Sequence, residues 1–238
     1  MKASTRGITK LVKPVLAKVG ARVGKLLADK LTKGITADDK AKRLIAELTF
    51  DELKDLAPEL ATILEEMAAD GGEEALAQVI SEISAEQLSQ VNERAVAYSK
   101  ERSAELVTQL EDSTRDMLRA TVTQGIEEGW SNDKLAGEIA DSYAFDPARA
   151  ETIARTETAY ADVQGNLEGY RASGVVSGKQ WTIAQDEFCD DCNELDGVVV
   201  GLDEPFPGDG GDGPPLHPNC RCDILPVLID DQPPTNEE

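Results

Sequence analysis

The chain has 238 residues, an aromatic content of 4% and a formal net charge of −22. This length allows one or two domains with hydrophobic cores, and the net charge makes the chain strongly self-repelling. No run of 18 apolar residues occurs, so the sequence predicts no transmembrane helix, and the N-terminus lacks the continuous apolar stretch of a secretory signal.

The first segment, residues 1–35, is predicted to be a basic amphipathic arm. Residues 1–34 carry nine basic side chains and one acidic one, a net charge of +8. The rest of the chain therefore has a net charge of −30. Apolar residues recur at helical spacing, and Pro14 starts or bends the helix. The basic side chains are either solvated on a helix that packs on the body, or they contact a polyanion, a membrane surface or an acidic protein. The candidate polyanion-binding residues are Lys10, Lys13, Lys18, Arg22, Lys25, Lys30 and Lys33.

Residues 36–83 are predicted to form short helices. Thr36 and Thr49 precede acidic residues in the pattern of N-caps. The glycines after Asp70 are expected to break the helical pattern. The predicted helices cover about residues 37–48, 50–68 and 74–83.

Residues 84–174 are predicted to form the helical body. From Ser84 to Glu128 apolar residues recur at intervals of three and four residues, which indicates one or two long helices. Their charged faces favour a helix that projects onto a partner. A helix over 132–142 follows Ser131, and another follows the cap Asp146 and runs to about Gly174.

The last part of the chain changes character. Residues 175–229 are predicted to form a small β-rich module, and the acidic tail 230–238 is expected to be disordered. The predicted fold class is therefore α+β: a predominantly helical N-terminal two-thirds followed by a small, metal-stabilised β module. The predicted strands lie at 175–176, 179–183, 197–200 and 223–229.

All four cysteines and the single histidine lie in this module. Cys189 and Cys192 form a C-x-x-C pair, and His217, Cys220 and Cys222 form an H-x-x-C-x-C group. Two closely spaced ligand groups joined by a loop are typical of a tetrahedral zinc site. The alternatives are two disulfides, a redox pair or inert thiols. Five candidates exceed the four ligands of a structural zinc, so the choice among them stays open.

A set of motifs in the C-terminal half resembles a known family. It consists of Ile153-Ala-Arg-Thr-Glu157 on a helix, Lys179-Gln-Trp181, the C-x-x-C pair and Pro214-Pro215-Leu-His217-Pro-Asn-Cys220-Arg-Cys222. Together these resemble the Mu-F-like minor head proteins of tailed bacteriophages, the head morphogenesis family, over about residues 90–228.

The resemblance implies a low-copy virion protein located in the capsid interior or at the portal vertex, and in the host cytoplasm during assembly. It implies that portal protein, other head proteins and packaged DNA are partners. The charge of the N-terminal arm, which the resemblance does not cover, makes the arm the expected place of DNA contact. The expected role is in capsid assembly or genome delivery, including DNA ejection, without enzymatic activity.

Three residues of the motifs are predicted to be structural. Arg155 could pair with Glu151 along one helix face, and Glu157 could pair with Arg171 and anchor the β module. Trp181 belongs to the same set.

The residues also leave two other functions open. One is a zinc-dependent nuclease or hydrolase. An open coordination position on the zinc, beside a carboxylate, would support this function. The other is a membrane-active ejection protein that acts through the arm. No Walker loop or G-x-G-x-x-G motif occurs in the chain.

Overall fold

Two compact units make up the protein, seen here in a computed structural model that describes residues 3–31, 45–184 and 190–231. Unit 1 comprises residues 1–60 and 101–151, and unit 2 comprises residues 61–100 and 152–238. Most described residues are helical, and a three-stranded antiparallel sheet lies near the C-terminus. The α+β fold class is therefore confirmed. Among the described residues, no helix is both long and apolar enough to cross a membrane.

The helices have the following bounds: α1 Ala3–Leu31, α2 Asp51–Lys54, α3 Ala57–Val79, α4 Ala85–Glu127, α5 Asn132–Ala140, α6 Pro147–Ser173 and α7 Asp190–Leu195. Two 3₁₀ turns cover Tyr143–Phe145 and Ile229–Asp231. The predicted helix over 37–48 lies largely outside the described residues, as does the tail after residue 231.

Helix α1 is part of the core of unit 1. The apolar residues on one face are at most 1% exposed, and the helix contacts α2, α5 and the turn Tyr143–Phe145. Pro14 lies inside the helix rather than at its start. The arm is therefore a helix that packs within unit 1 by its apolar face. The buried face consists of Ile8, Val12, Leu16, Val19, Val23 and Leu27.

Helix α3 departs from its prediction. It continues through Gly71 and Gly72, where a break was expected. Both glycines pack against the backbone of α6, and a Cβ atom on Gly72 would also collide with the side chain of Val91. The close contact with these neighbours compensates for the weak helix propensity of glycine.

Helix α4 is a single unbroken element of 43 residues, one of the two arrangements that its apolar periodicity allowed. Ser84 and Gln87 bond reciprocally at its start, in the geometry of a capping box. The expectation that it projects onto a partner is wrong, because Leu106 and Leu110 are only 4% and 3% exposed. These side chains contribute to the core of unit 1 instead of offering a docking face.

The starts of α5 and α6 confirm their predicted caps. Ser131 accepts a hydrogen bond from the Lys134 backbone N–H. Asp146 accepts one from the Ala148 N–H at 2.7 Å, and Pro147 occupies the first helical position. Each cap satisfies a helix donor that would otherwise lack a partner.

The sheet has the strand order β2-β1-β3, with β1 Val176–Thr182, β2 Val199–Gly201 and β3 Asp223–Leu228. The two segments predicted as separate strands before residue 183 form one strand with a bulge between Val176 and Gly178. The inner face of the sheet packs on the core of unit 2. Trp181 lies at the centre of this core and makes an edge contact with Phe206, with ring centroids 5.2 Å apart.

Candidate metal centre

Three of the predicted ligands converge in unit 2. The donor atoms of Cys192, His217 and Cys220 all lie within 4.8 Å of one another. The Cys192 sulfur is 3.4 Å from His217 Nε2 and 3.8 Å from the Cys220 sulfur. Both thiols are buried, while the histidine is partly exposed. Two soft sulfurs and an imidazole nitrogen form a donor set that suits zinc.

Local turns bring these ligands together. Cys192 lies on the short helix α7, which carries it into the core of unit 2. The Cys220 backbone N–H donates to the His217 carbonyl at 3.1 Å, which closes a tight turn between these two ligands. Strand β3 begins directly after Cys222, so pairing with β1 holds this end of the ligand loop.

The second ring nitrogen of His217 determines which nitrogen can bind a metal. Nδ1 lies 2.9 Å from the Pro218 carbonyl oxygen. A carbonyl only accepts, so Nδ1 carries the proton and donates it. The lone pair is then on Nε2, which is the nitrogen that faces Cys192. Metal-binding histidines are commonly oriented by such a hydrogen bond from the other nitrogen.

Cys222 lies beside the three convergent ligands. Burial raises the pKa of its thiol, and its contact with Cys220 raises that pKa further, whereas Cys192 and Trp181 lower it. The indole Nε1 of Trp181 is buried without an acceptor in hydrogen-bonding geometry. A thiolate at Cys222 would be a suitable acceptor for this N–H.

Asn219 anchors the ligand turn to α6. Its backbone N–H donates to Thr156 Oγ1 at 3.1 Å, and its side chain donates to Thr152 Oγ1 at 3.4 Å. Asn219 also adopts a left-handed backbone with φ of 61°, which asparagine tolerates better than most residues. No sequence pattern indicated this anchor, although Asn219 sits between the ligands His217 and Cys220.

Glu157 behaves differently from its prediction. Arg155 is exposed, whereas Glu157 is 2% exposed. The expected pairing of Glu157 with Arg171 is wrong, because both lie on α6 fourteen residues apart, which is about 21 Å along a helix axis. Arg171 bonds with Glu168 and Asp203. Thr156 of the same stretch contacts the β module by accepting a hydrogen bond from the Asn219 N–H.

Some predicted site residues lie outside what the structure describes. Cys189 and Lys33 fall in undescribed segments, and the side chain of Lys30 is likewise not described. Lys10, Lys13, Lys18 and Lys25 are exposed on α1.

Arg22, another predicted polyanion contact, forms hydrogen bonds with other residues of unit 1. Its Nε donates to Glu52 at 2.9 Å, and Nη2 donates to the Thr49 carbonyl at 2.7 Å. Burial raises the pKa of Glu52, but hydrogen bonds from its own backbone and from Arg22, with the charges of Arg22 and Lys18, lower it overall. Arg22 is therefore engaged within unit 1, whereas the four lysines of α1 are exposed.

Lys179 is a further unusual residue, which the sequence had marked only as part of a motif. Its side chain is fully buried, and its Nζ has no hydrogen-bond partner. The amine lies 5.4 Å from the centre of the Phe206 ring. Burial lowers its pKa. The signal in the sequence is its position two residues from Trp181, which places both on the same face of β1.

Comparison with known proteins confirms the resemblance for part of the chain. Residues 116–225 match the family described as Phage Mu protein F like protein. The chain is also similar to "Uncharacterized protein YqbB" of Bacillus subtilis (strain 168), with 26% identity over 211 residues. That alignment covers 83% of this chain and 65% of the relative, so the chain spans less than two thirds of the relative's length. No solved structure matches the chain.

Proposed function

From the match of residues 116–225 to the Mu F-like family, we propose that this chain is a minor head protein of a tailed bacteriophage or prophage. It associates with the portal and other head proteins and assists capsid assembly or genome delivery. The family match is the observation that carries the proposal. It includes the Thr152–Asn219 anchor and the four cysteine and histidine residues of the candidate metal centre that the structure describes.

The proposed metal is a structural zinc ion bound by Cys192, His217, Cys220 and Cys222. The first three already converge, and the fourth adjoins the thiols of Cys192 and Cys220. Such an ion would hold α7, the ligand turn and the start of β3 together, because metal binding contributes folding energy. The carboxylates of α7 are exposed. A closed set of four protein ligands supports a structural role over a hydrolytic one.

The exposed lysines of α1 are proposed to contact packaged DNA or another polyanion. Their charge lies on the solvent face of a helix whose apolar face is buried in unit 1. Insertion of that apolar face into a membrane would require removing it from the core. The structure therefore favours electrostatic contact over membrane activity.

Particle composition tests the proposed function. Phage particles and procapsids are purified from a host in which the chain carries an epitope tag, and their proteins are measured by quantitative mass spectrometry. We expect a few copies per particle and co-purification with portal protein. Absence of the chain from both kinds of particle would refute the proposal, and an enzymatic role would then explain the zinc ligands better.

A further inference from the structure

Exposed apolar side chains are concentrated on the small sheet. Among the described residues, five large apolar side chains are exposed, and four of these lie on the sheet or directly beside it. Val199 is 53% exposed and Leu225 is 47% exposed. Single exposed apolar residues are common, but a group on one element marks a contact surface. The other two members are Val175 and Ile229, which are joined by a backbone hydrogen bond of 3.0 Å.

The strand register places Val199 and Leu225 on one face. Gln180 of β1 pairs with Val199 of β2 and with Leu225 of β3. Directly paired residues point to the same side of an antiparallel sheet. Val227 follows Leu225 by two residues and lies on the same side. Ile224, which precedes Leu225, points to the opposite side into the core and is 1% exposed. We call this side, formed by Val199, Gln180, Leu225 and Val227, the outer face.

A carboxylate lies beside the outer face. Gly178 of β1 pairs with Gly201 of β2, two residues from the Gln180–Val199 pair and on the same face of the sheet. Neither glycine carries a side chain. The Gly201 N–H donates to Glu204 Oε2 at 3.1 Å. A Cβ atom on Gly201 would lie 3.1 Å from the same carboxylate. The Glu204 side chain therefore covers Gly201 on this side of the sheet and places a negative charge next to the apolar row.

The charge of unit 2 decides what kind of partner this face can accept. Its residues include 26 acidic and 6 basic side chains, a net charge of −20, whereas unit 1 has 20 acidic and 18 basic ones, a net charge of −2. The only basic residue in the three strands is Lys179, and it is buried. Two copies that met through this face would bring like charges together. A partner with basic residues would instead gain from the same field.

We infer that the outer face docks a partner protein whose contact surface is apolar at its centre and carries lysine or arginine opposite Glu204. This inference rests on the proposed function, in which that partner is a head protein. Burial of Val199 and Leu225 supplies the apolar contact, and Glu204 supplies orientation and a dependence on salt.

The test uses the full-length, zinc-loaded chain and two purified proteins of the same phage, the portal protein and the major head protein. Binding to each is measured by isothermal titration calorimetry at low and high salt. The double variant Val199→Thr, Leu225→Thr removes apolar contact while keeping strand propensity. Glu204→Gln removes the charge while keeping an oxygen acceptor for Gly201. The control is Tyr143→Thr, which changes a side chain of 50% exposure in unit 1.

We expect one of the two proteins to bind, and the double variant to bind it about tenfold more weakly or worse. Glu204→Gln should weaken binding several-fold at low salt and converge with the wild type at high salt. The control should bind as the wild type does. Circular dichroism and zinc content establish that each variant is folded.

Three results would overturn the inference. The double variant could bind with unchanged affinity, the wild type could bind neither protein, or sedimentation could show a dimer that the double variant abolishes. The particle composition measured in parallel separates the two proposals. If the chain is present in particles but the outer face is dispensable, the surface is wrong and the proposed function stands. If the chain is absent from particles, the proposed function itself fails.

Discussion

Gly165 of α6 packs so closely on α3 that a Cβ atom at Gly165 would lie 2.9 Å from the Gly72 backbone nitrogen. The same atom would lie 2.5 Å from the Ala68 carbonyl oxygen. Since backbone atoms cannot move aside as a flexible side chain can, glycine is required at this position. One turn further along α6, a Cβ at Gly169 would also collide with the Gly72 backbone. The glycines thus allow two helices of unit 2 to meet backbone to backbone.

Gly165→Ala should therefore destabilise unit 2 by about 2–4 kcal/mol, because the helices must separate or shift to admit one methyl group. The matched control is Gly137→Ala in α5, where an added Cβ meets nothing within 4 Å. That change should stabilise the protein by about 0.5–1 kcal/mol through helix propensity alone. Urea denaturation followed by circular dichroism measures both. Equal effects of the two substitutions would show that the close crossing does not exist.

Zinc binding should require Cys222 but not Cys189. The purified chain should hold one zinc ion, and Cys222→Ser should lower zinc affinity by a factor of at least about 100, because it removes one of four thiolate or imidazole ligands. Cys189→Ser is the control and should bind zinc normally. Elemental analysis and competition with a chelator provide the measurement. Loss of zinc in the Cys189 variant with retention in the Cys222 variant would reverse the assignment of the fourth ligand.

The Asn219–Thr156 contact should determine how firmly zinc is held. Thr156→Val keeps the shape of the side chain but removes the oxygen that accepts from the Asn219 N–H. Zinc should then dissociate about 10-fold faster, since residues that orient ligands typically contribute this much. Thr121→Val is the control, because the hydroxyls of both Thr121 and Thr156 donate to the carbonyl four residues earlier, but Thr121 lies in unit 1. Release to a coloured chelator reports the rate. Identical rates in wild type and both variants would contradict the anchoring role.

Lys179→Met should stabilise the protein near pH 7 by about 1–3 kcal/mol, because it replaces a buried amine that lacks a hydrogen-bond partner with an apolar side chain. Burial lowers the pKa of Lys179, with opposing contributions from Asp212, which raises it, and Arg171, which lowers it. Between this lowered value and the unfolded value of about 10.4, the unfolded chain binds more protons, so wild-type stability rises with pH.

The advantage of the Lys179→Met variant should accordingly shrink as pH increases toward 10. Comparing the two proteins at each pH cancels the titration of groups that both contain, including Tyr170, whose pKa burial raises to about 12. Thermal denaturation from pH 6 to pH 9.5 is the measurement. A difference that stays constant over this range would mean that Lys179 keeps its ordinary pKa when folded.

The exposed lysines of α1 should bind duplex DNA weakly and without sequence preference. Replacing Lys10, Lys18 and Lys25 with glutamine should lower affinity at low salt and reduce the salt dependence by about 0.9 in log–log slope for each phosphate that is no longer neutralised. Arg22→Gln is the comparison, because Arg22 is already paired with Glu52. It should change stability more than DNA binding. Fluorescence anisotropy over a salt series tests this, and an unchanged slope in the triple variant would exclude α1 as the DNA-binding element.

Several features followed from the sequence because short stretches determine them. The caps at Ser131 and Asp146 depend on a polar side chain within three residues of the donors that it satisfies. The length of α4 follows from an apolar period without an interrupting proline. Convergence of Cys192, His217 and Cys220 was expected because two closely spaced groups of soft ligands joined by a loop are typical of a zinc site.

Other features depended on contacts between residues far apart in the chain. Gly71 and Gly72 break a helix by their intrinsic propensity, and only the backbone of α6 opposite them makes a continuous helix favourable. Whether α1 was a free arm or a packed helix could not be settled by its amphipathic pattern, which is the same in both cases; the core of unit 1 decided it. Likewise, the hydrogen bond that anchors the ligand turn joins Asn219 to Thr156, which are 63 residues apart in the sequence. Local chemistry therefore determined the helix starts and the five candidate ligands. Long-range packing decided where a helix continues through glycines and which apolar faces are buried.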